Sequence, residues 1–581
     1  MSHKTPKTEQ LTDEEISELF NNLEEIISDS SSSESDGEEL PPNLVVLESL
    51  QDEADFTDGG KETKISDEGE EVSPPCWRTT CNFTPPGPGV VFDNTKCGVQ
   101  NPPATPTEVQ CFKMFITEAL VEVLVQETNR HALQLLKEAS TASKGKLAKW
   151  VPTDIKEMYT FLVTVLLMGM VKKSSLRDYW STEPMLQTPF FGTLFSQDRF
   201  LLLLRCLNFA NSTKADVDDP LFVIRRIFTE ITSSFRSVFV PYRDLSVDQS
   251  MMNWKGRLAL RQPIPAKRNR FGVKFFAVRD VLTGYVLDII IYTGSTTDIH
   301  HYARLGVSGS VVMTLLAPYL GKGHIVYVDN WHSSPTLFQE LLSHGTGACG
   351  AVRADRRGMP AFTNNNMTKG QMEFQENGTQ LAVKWCDKRE VHVLTTVHAS
   401  IMAVSQKVDY TTGEKKMMPF CVLEYNKKMG AVDKADIMKS FVKCARKTTK
   451  WYKKIFFYML ETAVLNSFIV YRQLAGKGMT SLEFRMNLMR GLLEEYSTPR
   501  NPPKGGRPAS DSPLRLTARH FLSDIPQTEL QGRSTRRACK VCISSKCRAK
   551  KRRSTRYMCV ACNIALCATP CFEEYHTLKN Y

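Results

Sequence analysis

The sequence predicts a multidomain α/β protein, with a strand-rich core set between two helical blocks and followed by a small cysteine-rich module. Three observations carry this expectation. At 581 residues the chain is too long for one hydrophobic core. Apolar residues recur at three- and four-residue spacing on both sides of a Val-, Ile-, Phe- and Tyr-rich stretch that begins near residue 244. Seven of the sixteen cysteines fall in the last 43 residues.

Taken in order, residues 1–75 carry 22 Asp/Glu against 4 Lys/Arg, a net of −18. The remainder carries 70 Lys/Arg against 41 Asp/Glu, a net of +29, which yields the +11 of the whole chain. A basic body behind an acidic tail points to a polyanion partner, nucleic acid above all. The Ser- and acid-rich "SDSSSSESDGEELPP" cannot pack a core, and disorder is expected over 1–105, through "FTPPGPGV" and "NPPATPTE". Residues 106–243 read as helical. Within them "TDIKEMYTFLVTVLLMGMV" opens with Thr153 or Asp154 as N-cap and Glu157 in the first turn. Its apolar run at 161–171 is too short to span a bilayer, and the N-terminus lacks the apolar core of a secretory signal. An intracellular setting follows, in which cysteines serve as thiols or metal ligands rather than disulfides.

From 244 to 355 the segments "DLSVDQSMM", "KFFAVRDVLTGYVLDIIIYTG" and "HIVYVDNWH" read as strands, with Gly284 supplying a hairpin turn. "SPTLFQELLSH" is a helix capped by Ser333 or Ser334. Residues 356–417 are mixed and polar, 418–442 return to the core, 443–520 form a second, basic helical block, 521–535 a linker, and 536–581 the cysteine-rich module.

Two of the predicted strands carry a carboxylate at or near their end, Asp329 and Asp248. "KMGAVDKADIM" adds Asp433 and Asp436 at i and i+3 of a helix start. Two strand-end carboxylates and a helix-borne one make the hard, oxygen-only donor set that Mg²⁺ prefers, and a pair of such ions can drive phosphodiester chemistry. Each aspartate taken alone is also a common helix cap or surface group. Beside Asp248 runs "RLALRQPIPAKRNRFGVKFF", whose Arg257, Arg261, Lys267, Arg268, Arg270 and Lys274 meet no acid and suit a phosphate backbone.

In the tail, Cys539, Cys542, Cys559 and Cys562 have the spacing C-x2-C-x16-C-x2-C, and Cys567, Cys571 and His576 follow. With Cys547 as an eighth, less securely placed ligand, the set fills two tetrahedral Zn²⁺ sites. So small a module needs the metal to fold. Its basic run, including Arg548, Lys550, Lys551, Arg552 and Arg553, is a DNA-gripping surface or a nuclear import signal. The nine remaining cysteines read as isolated thiols, Trp451 as a core residue, and His300 and His301 as non-ligands.

The blocks "VDQSMMNWKGRLALRQPIPAKRNRFGVKFF", "YVDNWHSSPTLFQEL", "YNKKMGAVDKADIM" and "TTKWYKKIFFYMLETAVLNSFIVYR" closely resemble the piggyBac transposase family, in the family's order, over roughly 105–581. The resemblance implies an RNase H-like DDE/D core with an insertion domain at 356–417, flanked by helical dimerisation and DNA-binding segments. It also implies a C-terminal cross-brace of two zincs. Asp248, Asp329 and Asp433 match the family's catalytic, metal-holding aspartates, and Asp436 its additional nearby one. The implied activity is cut-and-paste transposition at TTAA sites, through hairpin ends, by a nuclear dimer on double-stranded DNA using two Mg²⁺. Gln249 stands where the family usually has Glu, Gly430–Ala431 where it has two glycines, and "RADRRGMP" departs at 353–360. An alternative keeps the fold and zinc module in a domesticated DNA-binding protein that does not cut; a RING-like ubiquitin ligase fits the basic loop poorly.

Overall fold

A computed structural model of the chain describes residues 76–138, 145–211, 219–253, 262–263, 271–364, 366–387, 389–408, 413, 415–440, 450–476, 478–497, 520–526, 536–544 and 552–578. The acidic residues 1–75 lie outside the described residues. Two units emerge, one from Met1–Ser174 with Asp198–Ser497, the other from Ser175–Gln197 with Thr498–Tyr581. Residues 175–197, placed by sequence in the first helical block, therefore separate from it. Their short turn Leu176–Trp180 packs its aromatics on helix Pro189–Leu194 through Phe191.

The helices of the first unit begin with α1 (Glu108–Lys113), α2 (Glu118–Glu138), α3 (Ile155–Met170), α4 (Gln197–Cys206) and α5 (Phe222–Val238). Between the two candidate caps of α3, the structure selects Asp154, whose Oδ1 accepts the Glu157 N–H at 2.7 Å.

The core sheet follows. β1 (Asp244–Asn253), β2 (Phe271–Asp280) and β3 (Val286–Ile291) are antiparallel neighbours. Gly284, at φ +77°, makes the β2–β3 turn, a left-handed position that glycine takes without strain. After α6 (Gly306–Leu316) comes β4 (Ile325–Val328), parallel to β1, and after α7 (Pro335–Ser343) comes β5 (Gly347–Ala351), parallel to β4. The order β3–β2–β1–β4–β5 is the RNase H-like arrangement. At Gly350 a Cβ would lie 2.7 Å from the Val328 carbonyl oxygen, so glycine lets β5 close tightly on the tip of β4.

Residues 372–395 join the core sheet rather than a sheet of their own. β6 (Met372–Glu376), β7 (Leu381–Cys386) and β8 (Glu390–Thr395) form an antiparallel meander whose last strand pairs with β5, Leu394 opposite Gly350, so the meander extends the core sheet. A hairpin of β9 (Met402–Val408) and β10 (Lys415–Pro419) leads into α8 (Phe420–Ser440). α9 (Trp451–Ala475) and α10 (Ser481–Tyr496) close the unit, α9 against α1 and α5, α10 against α3. α9 is long and apolar enough to cross a membrane, but it is a core helix, buried along most of its length.

The expectation of disorder up to residue 105 is corrected by the structure from residue 76 onward. Arg78–Thr79 adds a short strand to the free edge of β6. Trp77 Nε1 donates to the Gly358 carbonyl at 2.9 Å, and the Phe83 N–H donates to Ser400 Oγ at 2.8 Å. Gly98–Val99 pairs with Phe239–Val240. These are long-range contacts, and a Pro/Gly-rich segment without hydrophobic period gives no sign of them in sequence. Phe83 is buried in the cluster that holds Tyr327 and Tyr425. Phe83→Ala is therefore expected to destabilise this unit by about 3 kcal/mol, measurable as a lower denaturant midpoint. An unchanged midpoint would mean the segment is not docked.

Candidate metal centres and nucleic-acid interface

Asp329 follows the end of β4 as expected, but Asp248 lies in the middle of β1, which pairs with β2 on to Asn253. Register decides how the two stand to each other. β1 and β4 pair as Ser246↔Tyr327 and Val247↔Val328, so Asp248 and Asp329 are the next positions on two adjacent parallel strands, which run about 4.8 Å apart. Because side chains alternate, Asp244, Ser246 and Asp248 share one face of the sheet with Tyr327. α8 lies on that face. Lys428 Nζ reaches Asp244 Oδ2 at 2.5 Å, and Tyr425 and Met429 join Tyr327 in one buried cluster. Against burial, which would raise it, hydrogen bonds from Lys428 and Arg243 hold the Asp244 carboxyl below the usual carboxylate range. Position 433 stands two helical turns beyond Tyr425 on α8, and 436 two beyond Met429. The side chains of Asp433 and Asp436 lie outside what the structure describes.

Asp329 is not the cap of α7. Ser334 takes that role, its Oγ accepting from the Leu337 N–H at 3.2 Å. Asp329 Oδ1 instead accepts the backbone N–H groups of Trp331 and His332, at 3.1 and 3.2 Å, fixing the loop that leaves β4. His332 is buried behind it, its Nδ1–H donating to the Ser308 carbonyl at 3.1 Å. Burial lowers the imidazole pKa against the pull of the Asp329 carboxylate, so the ring is neutral at neutral pH. Arg356 Nη2 donates to the Asn330 and Trp331 carbonyls at 2.7 and 3.0 Å, tying the loop after β5 to the loop after β4. Lys274 Nζ sits 3.9 Å above the Trp331 ring, which stacks on Phe276 at 5.1 Å. Asp248 is nearly buried, with the fully buried Arg279 Nε 3.4 Å from its Oδ1. Paired carboxylates on two central strands, with Arg279 beside one and Lys274 and Arg356 on the neighbouring loop, fit hard divalent ions and a phosphate backbone.

The rest of the predicted basic strip, Arg257, Arg261, Lys267, Arg268 and Arg270, lies outside the described residues, as do Arg548, Lys550 and Lys551. Arg552 and Arg553 are exposed on the cysteine-rich module.

In that module β11 (Leu522–Asp524), β12 (Tyr557–Cys559) and β13 (Ile564–Ala565) form a small sheet beside α11 (Lys540–Ser544) and α12 (Cys571–Thr577). Two donor sets converge: Cys539, Cys542, Cys567 and Cys571 in one, His520, Cys559, Cys562 and His576 in the other. The sets interleave along the chain, which is a cross-brace. Cys542 Sγ lies 3.9 and 3.5 Å from the sulfurs of Cys567 and Cys571. His520 Nδ1 lies 3.5 and 3.4 Å from those of Cys559 and Cys562. A zinc tetrahedron with Zn–S of about 2.3 Å and Zn–N of about 2.0 Å requires edges of about 3.8 and 3.5 Å. The donors are thus set for zinc.

His520 is the ligand that sequence reasoning missed. The expected eighth ligand, Cys547, lies outside the described residues, and His520 completes the second tetrad without it. The module correspondingly begins before 536: β11, in the supposed linker, pairs Leu522 with Cys559 and carries His520 to the site. A lone histidine 19 residues upstream of the first cysteine has no ligand spacing to betray it.

Comparison with known proteins agrees with this geometry. A family model described as "Transposase IS4" matches residues 107–468, and one described as "DDE_Tnp_1-like zinc finger" matches 523–577. Human PiggyBac transposable element-derived protein 3 is 26% identical over 487 residues, 81% of this chain and 76% of that protein. Human PiggyBac transposable element-derived protein 5 is 20% identical over 422 residues, 69% of this chain and 78% of that protein. The structure of a piggyBac transposase synaptic complex with hairpin DNA superposes with a TM-score of 0.61 at 22% identity, covering 82% of this chain and all of that one, a likeness of fold.

Proposed function

The chain belongs to the piggyBac-type transposase family, and from that premise we propose that it is a cut-and-paste DNA transposase that cleaves transposon ends and joins them to TTAA sites. The observation that supports the reading is the register of β1 and β4, which makes neighbours of Asp248 and Asp329 on two adjacent central strands. Asp248, Asp329 and Asp433 would hold two Mg²⁺. When bound, these supply Lewis-acid polarisation of the scissile phosphodiester and a more acidic attacking water or 3′-hydroxyl.

The chain's own groups do the rest. The Trp331 and His332 amides fix one oxygen of Asp329, so its carboxylate keeps a set orientation through the reaction. Arg356 and Lys274 place positive charge beside that loop, where the backbone of a bound duplex would run. The zinc module, with Arg552 and Arg553 exposed, would grip the terminal repeats. Two ends must be brought together for excision, which supports a dimer on DNA, and nuclear residence follows from the same substrate.

The experiment is an excision assay with the full-length protein, using a donor plasmid carrying the inverted repeats and TTAA that border its gene. Scarless loss of the element, with hairpin ends in a Mg²⁺ cleavage reaction, is the expected result. Tight binding of those ends without cleavage would favour the second reading, a domesticated DNA-binding protein, which the element-derived human relatives bring into view.

A further inference from the structure

We propose that the hydroxyl groups of Tyr458 and Ser250 form a two-point cradle for the DNA phosphate next to the scissile one, which makes Tyr458 a positioning residue for the bound strand. The inference rests on the reading of Asp248 and Asp329 as the groups that act on the scissile phosphate.

Alternation along β1 places Ser250 on the same face of the sheet as Asp248, two residues or about 7 Å further on. That step is close to the separation of neighbouring phosphates along one DNA strand. The β1–β4 pairing ends at Val247↔Val328, whereas β1 stays paired with β2 as far as Asn253↔Gly272. Ser250 therefore lies on the part of β1 that projects past the end of β4. Beyond it the chain passes into residues 254–270, which carry six Lys/Arg and no acid. Along the chain, Ser250 stands between Asp248 and that basic connection.

α9 brings a second hydroxyl to the same place. Tyr458 Oη lies 3.3 Å from Ser250 Oγ. The tyrosine ring stacks on Phe275 at 4.7 Å and 24°, and Phe275 stands directly opposite Ser250 on β2. The stack fixes the ring, so little ordering is left for the moment of binding. Both residues are half-buried, which leaves the pair an open side. A helix with only packing to do would be served here by phenylalanine, which fills the same space with no polar atom to satisfy. Ser250 Oγ has no second partner among the described residues, so when Tyr458 donates to it, the serine proton is left for an acceptor from outside. A phosphate oxygen is such an acceptor, and its charge strengthens the bond. A cation at this position would compete with a divalent ion for the nearby carboxylate; a neutral hydroxyl does not.

The test is a protein–substrate cycle on the full-length, zinc-loaded protein. Affinity for a TTAA-flanked end duplex is measured in Ca²⁺, with a methylphosphonate replacing the phosphate on one side or the other of the scissile position. Tyr458→Phe keeps the stack and removes the hydroxyl. It is expected to bind the unmodified duplex about tenfold more weakly, as for a lost hydrogen bond to a charged group, with an unchanged denaturant midpoint. At one of the two positions the methylphosphonate is expected to weaken binding by the wild type about tenfold and by Tyr458→Phe no further, because both changes remove the same contact. A purely structural tyrosine gives losses that multiply at both positions, and that result overturns the proposal. Tyr458→Phe binding as tightly as the wild type overturns it too. Ser250→Ala, which leaves the stack untouched, carries the same cycle should Tyr458→Phe fail to fold, with the same outcomes. Cleavage of the unmodified duplex by the wild type in Mg²⁺ answers separately for the aspartates. Coupling without cleavage upholds the cradle and removes the activity; cleavage without coupling removes the cradle alone, and absence of both removes the two together.

Discussion

Asp329→Ala is expected to abolish cleavage of a TTAA-flanked end while leaving end binding nearly intact. The carboxylate lies one residue past β4, beside Asp248, and its backbone partners are the amides of the loop it organises. If Asp329 holds metal as proposed, removing it takes away a preorganised charge that stabilises the transition state, a loss on the order of 10³-fold or more in rate. Binding draws on phosphate contacts from cations elsewhere on the molecule, which the substitution leaves in place. Single-turnover cleavage and a gel-shift titration on the same duplex measure the two quantities. Asp329→Asn refines the result, because the amide keeps the Trp331 and His332 hydrogen bonds but lacks the negative charge. Cleavage by Asp329→Asn at the wild-type rate would remove the residue from the chemistry and leave it a loop-fixing role.

The second large effect is expected at His520. His520→Ala should lower the zinc content from two ions per chain to one and unfold the sheet of β11, β12 and β13, because the small module relies on metal for much of its folding free energy. Cys559→Ser, in the same tetrad, should do the same, and both should weaken end binding by about tenfold or more as the phosphate contacts held by the module are lost. Cys547→Ser should do neither, since both tetrads are complete without it. Zinc analysis of the purified variants decides the matter. Two zincs retained in His520→Ala would show that another donor closes the second site.

Much of this was legible without coordinates. The spacing of Cys539, Cys542, Cys559 and Cys562 marked a metal site because ligands on tight turns have short, regular separations. The N-cap signal at Thr153 or Asp154 with Glu157 marked a helix, and Gly284 marked a hairpin, because both are settled by neighbours within a few residues. Asp248 and Asp329 stood out as carboxylates in apolar strands, although β1 runs on past Asp248 to Asn253. Less could be read where the decisive partner is remote. Residues 76–105 look unstructured because nothing in them is periodic; they are ordered by Ser400, Gly358 and the edge of β6, some three hundred residues away. The insertion after 356 reads as polar and mixed, yet its meander completes a sheet whose edge it finds only at β5.

By itself, then, the sequence determined the main helices and core strands, the aspartates they carry and most of the zinc donors, since propensity, alternation and ligand spacing act over short stretches of chain. The tertiary structure alone decided that β1 and β4 pair in the register that aligns Asp248 with Asp329, that Arg279 is sealed beside them, and that His520 closes the second tetrad. Those outcomes depend on which distant apolar faces are buried together, and a slip of one residue in strand pairing would turn each carboxylate to the opposite face of the sheet.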